Sequence, residues 1–497
     1  MKSTAELYEQ YSEHMKRIAD MRYAAAVLQW DQETYMPAKG AERRAWQLAT
    51  LSETAHEMAT DAKFEQLVEE LIQRDNPHRA RHVNVALTHE DLQRQKKLSG
   101  AFVRKLSEAV SRAFNSWIAA RKANNFGLFE KDLEQLVALK RESAELYGYE
   151  GHPYNALIYE YERSVTVDKL DSTFQTIIPA LTPLVQQASK ATLNADFLHR
   201  FYPKEKQWEW GMWLVKELGF DLEAGRQDIS EHPFTTNFSA KDVRITTRID
   251  EQDFANMTWS CIHEAGHALY EQGLPDSEYG LPSGEYASLS IHESQSRLWE
   301  NCVGRSQAFW NHYLPVLKSY FPEQLQEVDV TAFYKGINKV QPSFIRTEAD
   351  EITYHFHVYI RYQVEKELIA GTLAVKDIPA RWNELYQQHL GIKVPDDRTG
   401  CLQDVHWSHG SFGYFPTYSM GSFYAAQFWT KAQKDIPALQ QPDMDANALA
   451  ELLAWLRKHI HASGRLLDSE ALCKAVTGEP LNVNYFIHYA REKFTGI

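Results

Sequence analysis

A mainly α-helical fold with one small β element is what the sequence predicts, and three observations lead there. Apolar residues recur at helical spacing along most of the 497 residues, a single stretch alternates with a period of two, and no linker or fixed-period repeat divides the chain. Phe64, Leu67, Val68, Leu71 and Ile72 form one helical stripe, and Val103, Leu106, Val110, Phe114 and Trp117 a second. Leu449, Leu452, Leu453, Leu456 and Ile460 form a third, with Gly464 as its C-cap. Each reads as a core-facing seam. In DVRITTRI, Val243, Ile245 and Thr247 alternate with Arg244, Thr246 and Arg248, which predicts a short strand. Further on, LPDSEYGLPSGEY, with Pro275, Gly280, Pro282 and Gly284, separates two helices. The continuity of the pattern favours one large body over residues 1–497 rather than a string of modules.

The bulk numbers exclude several function classes. Hydrophobic residues at 44% and charged residues at 24% describe a globular chain with a sizeable core. A formal charge of -14 argues against a nucleic-acid partner, because neutralising phosphates needs clustered Lys and Arg. The four cysteines include no C-x-x-C pair, so neither a disulfide framework nor a thiolate metal site is expected, and a reducing, cytoplasmic setting fits. Charges punctuate MKSTAELYEQYSEHMKRI, and no run near twenty apolar residues follows, so neither secretion nor a membrane span is expected.

The densest chemistry lies in TWSCIHEAGHALYEQG, where His263, Glu264 and His267 have the H-E-x-x-H spacing inside residues that can all continue a helix as far as Gly273. Two histidines four apart project from one helix face, so both imidazoles can reach one divalent ion. Glu264, adjacent to a ligand but rotated away from it, can act on water without entering the coordination shell. Gly266 costs about 1 kcal/mol in a helix, which close approach by another element would explain. A catalytic site needs a third protein ligand, and Glu271, Glu285, Glu293 and Glu300 are the acids downstream. If a second helix starts near Glu285 and returns antiparallel, Glu293 regains the level of the histidines about two turns later. A His–His–carboxylate set leaves one position for water, which suits hydrolysis of an amide.

With these residues the chain resembles the carboxypeptidase Taq family of metallocarboxypeptidases. The likeness also rests on HPF (His232–Phe234), DVRIT (Asp242–Thr246), HESQ (His292–Gln295), IRTEAD (Ile345–Asp350), GCLQDVHW (Gly400–Trp407) and QWDQETYMP (Gln29–Pro37), spread over most of the chain. The resemblance implies a large helical zincin-like body with a deep substrate groove, a helical part over about 1–200 flanking it and a catalytic part over about 201–497. It implies one Zn2+, or Co2+, per chain, broad specificity toward peptides with a free C-terminus, and a homodimer. It supports Glu293 as third ligand and Arg346 as the group that takes the terminal carboxylate, a role that the guanidinium fork suits. Arg244, Arg297 and Arg361 qualify for that role by type alone, and without the resemblance an ion pair of Arg346 with Glu348, Asp350 or Glu351 is as good a reading. His406 and Tyr418 are the expected oxyanion donors. Asp242, Arg244 and Thr246 are expected to offer a strand edge to an extended peptide, with His232 and Gln403 also on the substrate side. Gln403 and Asp404 are expected to orient the far nitrogens of the metal-binding histidines. Two other classes compete: a helical zinc oligopeptidase cutting internal bonds, and a non-catalytic metal-bearing scaffold.

Overall fold

The computed structural model describes residues 2–74 and 76–496. Among them helices dominate, and the strands form one three-stranded sheet. No helix among the described residues is long and apolar enough to cross a membrane. The chain forms two compact units, each assembled from separated segments. One comprises the chain up to Gln93, Asn194–Ile337 and Phe428–Pro480; the other comprises Arg94–Leu193, Asn338–Gln427 and the chain from Leu481 onward.

The first unit holds the sheet and both helices of the H-E-x-x-H region. Its N-terminal helix, Thr4–Thr34, starts at a capping box in which Ser3 accepts from the Glu6 N–H and Glu6 accepts from the Ser3 N–H. Leu7, Tyr8, Tyr11 and Ile18 on that helix pack with Phe64, Val68 and Leu71, the buried face of Ala62–Ile72, as the first apolar stripe predicts. Leu449, Leu452, Leu453 and Leu456 are likewise buried on Ala446–His459. That helix ends before Gly464, so Gly464 is not its cap. It follows a 3-10 turn, His461–Ser463, with φ of 47°, and a Cβ there would lie 2.0 Å from the Ser283 carbonyl oxygen.

Three short strands, β1 (Gly225–Ile229), β2 (Thr235–Ser239) and β3 (Asp242–Thr247), form the sheet in the order β1-β3-β2. β3 coincides with the alternating DVRITT stretch, and its Val243 and Ile245 are fully buried. It runs parallel to β1 and antiparallel to β2, so both of its edges are already paired. This corrects the strand-edge expectation for Asp242, Arg244 and Thr246: a central strand has no free N–H and C=O row for an incoming peptide.

Against the sheet lies the HEAGH helix, Phe254–Glu271, capped by Asp253. The next helix, Leu289–Arg297, carries HESQ and starts at Ser288, whose hydroxyl accepts from the Ile291 N–H. It therefore begins one turn later than a start near Glu285. It passes into a π-helical turn, Leu298–Val303, a widening often found at functional sites. The two helices cross at Gly266, where a Cβ would sit 2.6 Å from Ser296 Cα and 2.8 Å from the Gln295 carbonyl oxygen. Backbone occupies that space, which accounts for a glycine inside a helix.

The second unit is helical, and one stripe in it differs from the sequence reading. On Gly100–Ala123 the buried face is Phe102, Ala109, Ala113 and Ala120, while Val103 is 50% and Phe114 37% exposed. Small alanines let the neighbouring helix, Gly127–Tyr147, approach closely, which the larger side chains of the expected seam would prevent.

Replacing Gly266 with alanine tests the crossing. Alanine favours a helix by about 1 kcal/mol, but overpacking against backbone costs about 1–3 kcal/mol. The thermal midpoint of Gly266→Ala is expected to fall; a midpoint at or above wild type would show that the crossing does not need the glycine.

Candidate metal centre and guanidinium cluster

Four residues apart on one helix, His263 and His267 turn their rings to the same side, with centroids 4.9 Å apart. Glu293 reaches them from the HESQ helix: its Oε2 lies 3.5 Å from His267 Nε2 and 3.9 Å from His263 Nε2. One donor atom from each of the three lies within 4.8 Å of the others. In a tetrahedral shell with bonds near 2.0–2.1 Å the ligand atoms stand about 3.3 Å apart, and the two carboxylate–imidazole gaps of 3.5 and 3.9 Å are close to that spacing.

The surrounding groups hold each donor in place. His263 gives its other nitrogen, Nδ1, to Glu300 Oε2 at 2.8 Å, and His267 Nδ1 meets His292 Nδ1 at 2.6 Å. His292 Nε2 in turn bonds Glu271 Oε1 at 2.7 Å. Arg297, one turn beyond Glu293 and one turn before Glu300, donates to Glu293 Oε1 at 2.7 Å and to Glu300 Oε2 at 3.2 Å. Burial alone would raise the Glu300 carboxyl, but Arg297, His263 and Arg305 hold it well below the usual range. For His263, burial disfavours the charged form, yet Glu300 and Glu293 outweigh it and the ring is shifted up. Burial drives His267 well down, with His292 and His263 adding to the effect.

Glu264 stands outside this set. Its Oε2 accepts from the Thr235 hydroxyl at 2.5 Å, at the start of β2, and burial raises its pKa above the usual carboxylate value. The strand-facing side of the helix is thus fixed by β2, and β2 by the HPF and DVRIT segments. Thr246 Oγ1 accepts from the Phe234 N–H at 2.9 Å, and Ser230 Oγ, with one hydrogen to give, lies 2.6 Å from both Thr246 Oγ1 and the His232 carbonyl oxygen. Thr246 is 1% exposed, so its part is internal. Arg244 binds Asp242 through Nε and Nη2 at 2.9 and 3.0 Å and lies 4.3 Å over the Trp30 ring.

In the second unit six further sequence-selected residues meet. Arg346 donates from Nε and Nη2 to Asp404 at 3.2 and 2.9 Å and from Nη1 to the Tyr354 hydroxyl at 3.0 Å. Its backbone N–H goes to Gln403 Oε1 at 2.9 Å, and its guanidinium lies 4.9 Å over Tyr418. The Tyr418 hydroxyl is 3.3 Å from His406 Nε2. Arg346 therefore pairs with Asp404, fifty-eight positions away, and not with Glu348, Asp350 or Glu351. Asp404 is shared with Arg361, which is fully buried against Trp407 and Phe415. One carboxylate thus serves two guanidinium groups, and each Nη of Arg346 keeps a second N–H. Burial pushes His406 down to about 3, so its ring is neutral near pH 7.

Asp404 and Gln403 are not the partners of the metal-site histidines, contrary to the sequence expectation. Their far nitrogens go to Glu300 and His292, while Asp404 binds the arginines and Gln403 binds the Phe344 carbonyl and the Tyr386 hydroxyl. Sequence reasoning missed the parts of His292, Arg297, Glu300 and Thr235. The i+4 and i+7 spacing of Arg297 and Glu300 from Glu293 signals a shared helix face, but nothing local points to Thr235.

Comparison with known proteins agrees with this architecture. The family described as carboxypeptidase Taq (M32) metallopeptidase matches residues 10–494. The chain belongs to this family. It is a metallocarboxypeptidase, a peptide-bond hydrolase that depends on a divalent metal. Thermostable carboxypeptidase 1 of Thermus thermophilus is 37% identical, with 99% of this chain and 98% of that protein covered. Carboxypeptidase 1 of Bacillus subtilis is 36% identical over 98% of both chains. The crystal structure of the M32 carboxypeptidase from Deinococcus radiodurans superposes with a TM-score of 0.95 at 37% identity over 99% of both chains. The donor set fits the metal the family requires: two imidazole nitrogens and one carboxylate oxygen converge, each backed by a hydrogen-bonding partner.

The guanidinium pair yields a stability test. Two arginines hold Asp404 well below the usual carboxylate range despite its burial. The unfolded chain therefore binds the proton first on acidification, so the stability from Asp404 is full above about pH 4 and is lost as pH falls toward its folded pKa. Asp404→Asn leaves two buried guanidinium groups without their carboxylate and is expected to cost about 3–5 kcal/mol at neutral pH. The gap between the thermal midpoints of the two proteins should narrow as pH falls from 7 to 3; a constant gap would assign the loss to packing instead.

Proposed function

We propose that this chain removes single residues from peptide C-termini with broad specificity, holding one Zn2+ through His263, His267 and Glu293 and using Glu264 as general base. The observation that carries the reading is the convergence of His263 Nε2, His267 Nε2 and Glu293 Oε2, with Glu264 beside them but bonded only to Thr235 among side chains. Two imidazoles and a carboxylate suit zinc, and Co2+ is the alternative. Bound there, the ion would polarise the scissile carbonyl and lower the pKa of water toward about 7.

The protein groups then supply position and proton transfer. Glu264, raised by burial, is basic enough to take a proton from attacking water and acidic enough to pass it to the leaving amine. The Thr235 hydroxyl fixes which carboxylate oxygen of Glu264 stays available. A base with both oxygens firmly engaged would have no free lone pair to use.

Arg346 is assigned to the substrate's terminal carboxylate. Each of its Nη atoms keeps a second N–H beyond the bonds to Tyr354 and Asp404, so a carboxylate entering there meets a guanidinium fork. Recognition of a group that every peptide C-terminus carries accounts for broad specificity. Tyr418 and His406 are assigned as hydrogen-bond donors to the developing oxyanion; a neutral imidazole keeps one N–H for that purpose.

Glu264→Gln is expected to lower kcat about 10²–10⁴-fold while retaining metal, measured by peptide hydrolysis beside metal analysis. Retained activity would overturn the base assignment. A matched pair of peptides with free and amidated C-termini tests Arg346. Wild type should cleave only the free acid, and Arg346→Ala should lose that preference; equal cleavage of both by wild type, at internal bonds, would favour the oligopeptidase reading.

A further inference from the structure

The support given to the two histidines is unequal. His263 leans directly on a carboxylate, Glu300. His267 leans on another imidazole, His292, and only His292 reaches a carboxylate, Glu271. Two imidazole nitrogens 2.6 Å apart share a single hydrogen, so the bond has a direction, and something must set it.

We propose that Glu271 sets that direction, and that Glu271 and His292 act as a relay of positioning residues that keeps His267 in the tautomer able to bind metal. The proposal rests on the reading that His263, His267 and Glu293 hold the ion. An ionised carboxylate only accepts, so His292 Nε2, at 2.7 Å from Glu271 Oε1, carries an N–H. With its hydrogen on Nε2, the ring presents Nδ1 as the acceptor toward His267. His267 Nδ1 must donate to it, which leaves His267 Nε2 with its lone pair on the side of Glu293, 3.5 Å from Oε2. The opposite order would place a hydrogen on Nε2, where a cation cannot bind.

Glu271 is itself held in this part. Its second oxygen accepts from Asn237 Nδ2 at 2.7 Å, and the residue is 3% exposed. His292 is boxed by rings: Tyr270 at 5.4 Å, Tyr286 at 4.9 Å and His267 at 4.6 Å between centroids. The ring can neither tip away nor turn over without losing both hydrogen bonds. Glu271 sits one turn beyond His267 on the same helix and reaches it only through the HESQ helix, so the relay also ties β2 and both helices to one ligand.

The test measures Zn2+ affinity of the full-length apo-protein by chelator competition, with thermal melts of each variant beside it. His292→Phe keeps a ring in the box and removes both hydrogen bonds; Glu271→Leu removes the far anchor. Each is expected to raise the Zn2+ Kd about 10–100-fold, the usual effect of losing a partner of a metal-binding histidine. The double variant should be little worse than either alone, because the relay acts as one unit. His292→Gln, whose amide can accept from His267 and donate to Glu271, should recover most of the affinity. Wild-type affinity in both single variants overturns the relay. His267→Ala separates the two readings: a Kd unchanged there would instead overturn the metal site itself. Should a variant fail to fold, nitrogen-15 histidine spectra of the wild-type apo-protein decide the matter. A hydrogen on His267 Nδ1 supports the relay, and one on Nε2 overturns it.

Discussion

The crossing of the HEAGH and HESQ helices at Gly266 is the constraint on which the metal centre depends. Backbone atoms of Gln295 and Ser296 fill the volume that a side chain at Gly266 would take. Helices normally pack about 8–10 Å apart because side chains separate them. A glycine opposite backbone removes that spacer. The approach brings Glu293 to within 4 Å of two imidazoles fixed on the neighbouring helix. Without it a carboxylate at the correct level would still be too far away sideways.

Such closeness creates an electrostatic difficulty, because Glu264, Glu271, Glu293 and Glu300 all lie on these two neighbouring helices. Buried carboxylates raise one another's pKa and resist ionisation. Each has its own set of partners, with Arg297 shared: Thr235 for Glu264, Asn237 and His292 for Glu271, Arg297 for Glu293, and His263, Arg297 and Arg305 for Glu300. The four acids are therefore not interchangeable ligands competing for an ion. Glu293 is the one whose second oxygen faces the Nε2 atoms of both imidazoles, and Glu271 and Glu300 lie behind those rings. An acid cluster becomes a site by the distribution of its donors rather than by its charge alone.

What the sequence disclosed follows from how far each interaction reaches along the chain. The H-E-x-x-H spacing, the strand at Asp242–Thr247 and the buried faces of Ala62–Ile72 and Ala446–His459 are local periodicities, and they were legible. Glu293 was reached by counting turns across one loop, although the helix starts at Leu289 rather than near Glu285. Pairings over longer distances were not legible. Nothing near Asp242 shows that β1 and β2 cover both edges of its strand, and nothing near Arg346 selects Asp404 over the acids beside it. The seam on Gly100–Ala123 was misread because hydrophobicity was followed where helix contact had selected small size. Family likeness singled out residues at several of these places without saying what they touch.

The two clusters have opposite polarity, and this bears on what each can accept. Around the HEAGH helix the donors that converge are lone pairs, which call for a cation. Around Arg346 they are N–H groups, which call for an acceptor such as a carboxylate. Each arrangement is costly without its guest, since buried polar groups lacking partners lose their hydration with nothing in return. The cost is kept down in the same manner in both: Asp404 takes up one of two guanidinium charges, and Glu300 and His292 take up the outer nitrogens of the imidazoles. Each cluster thereby keeps its geometry while leaving groups that a guest can satisfy.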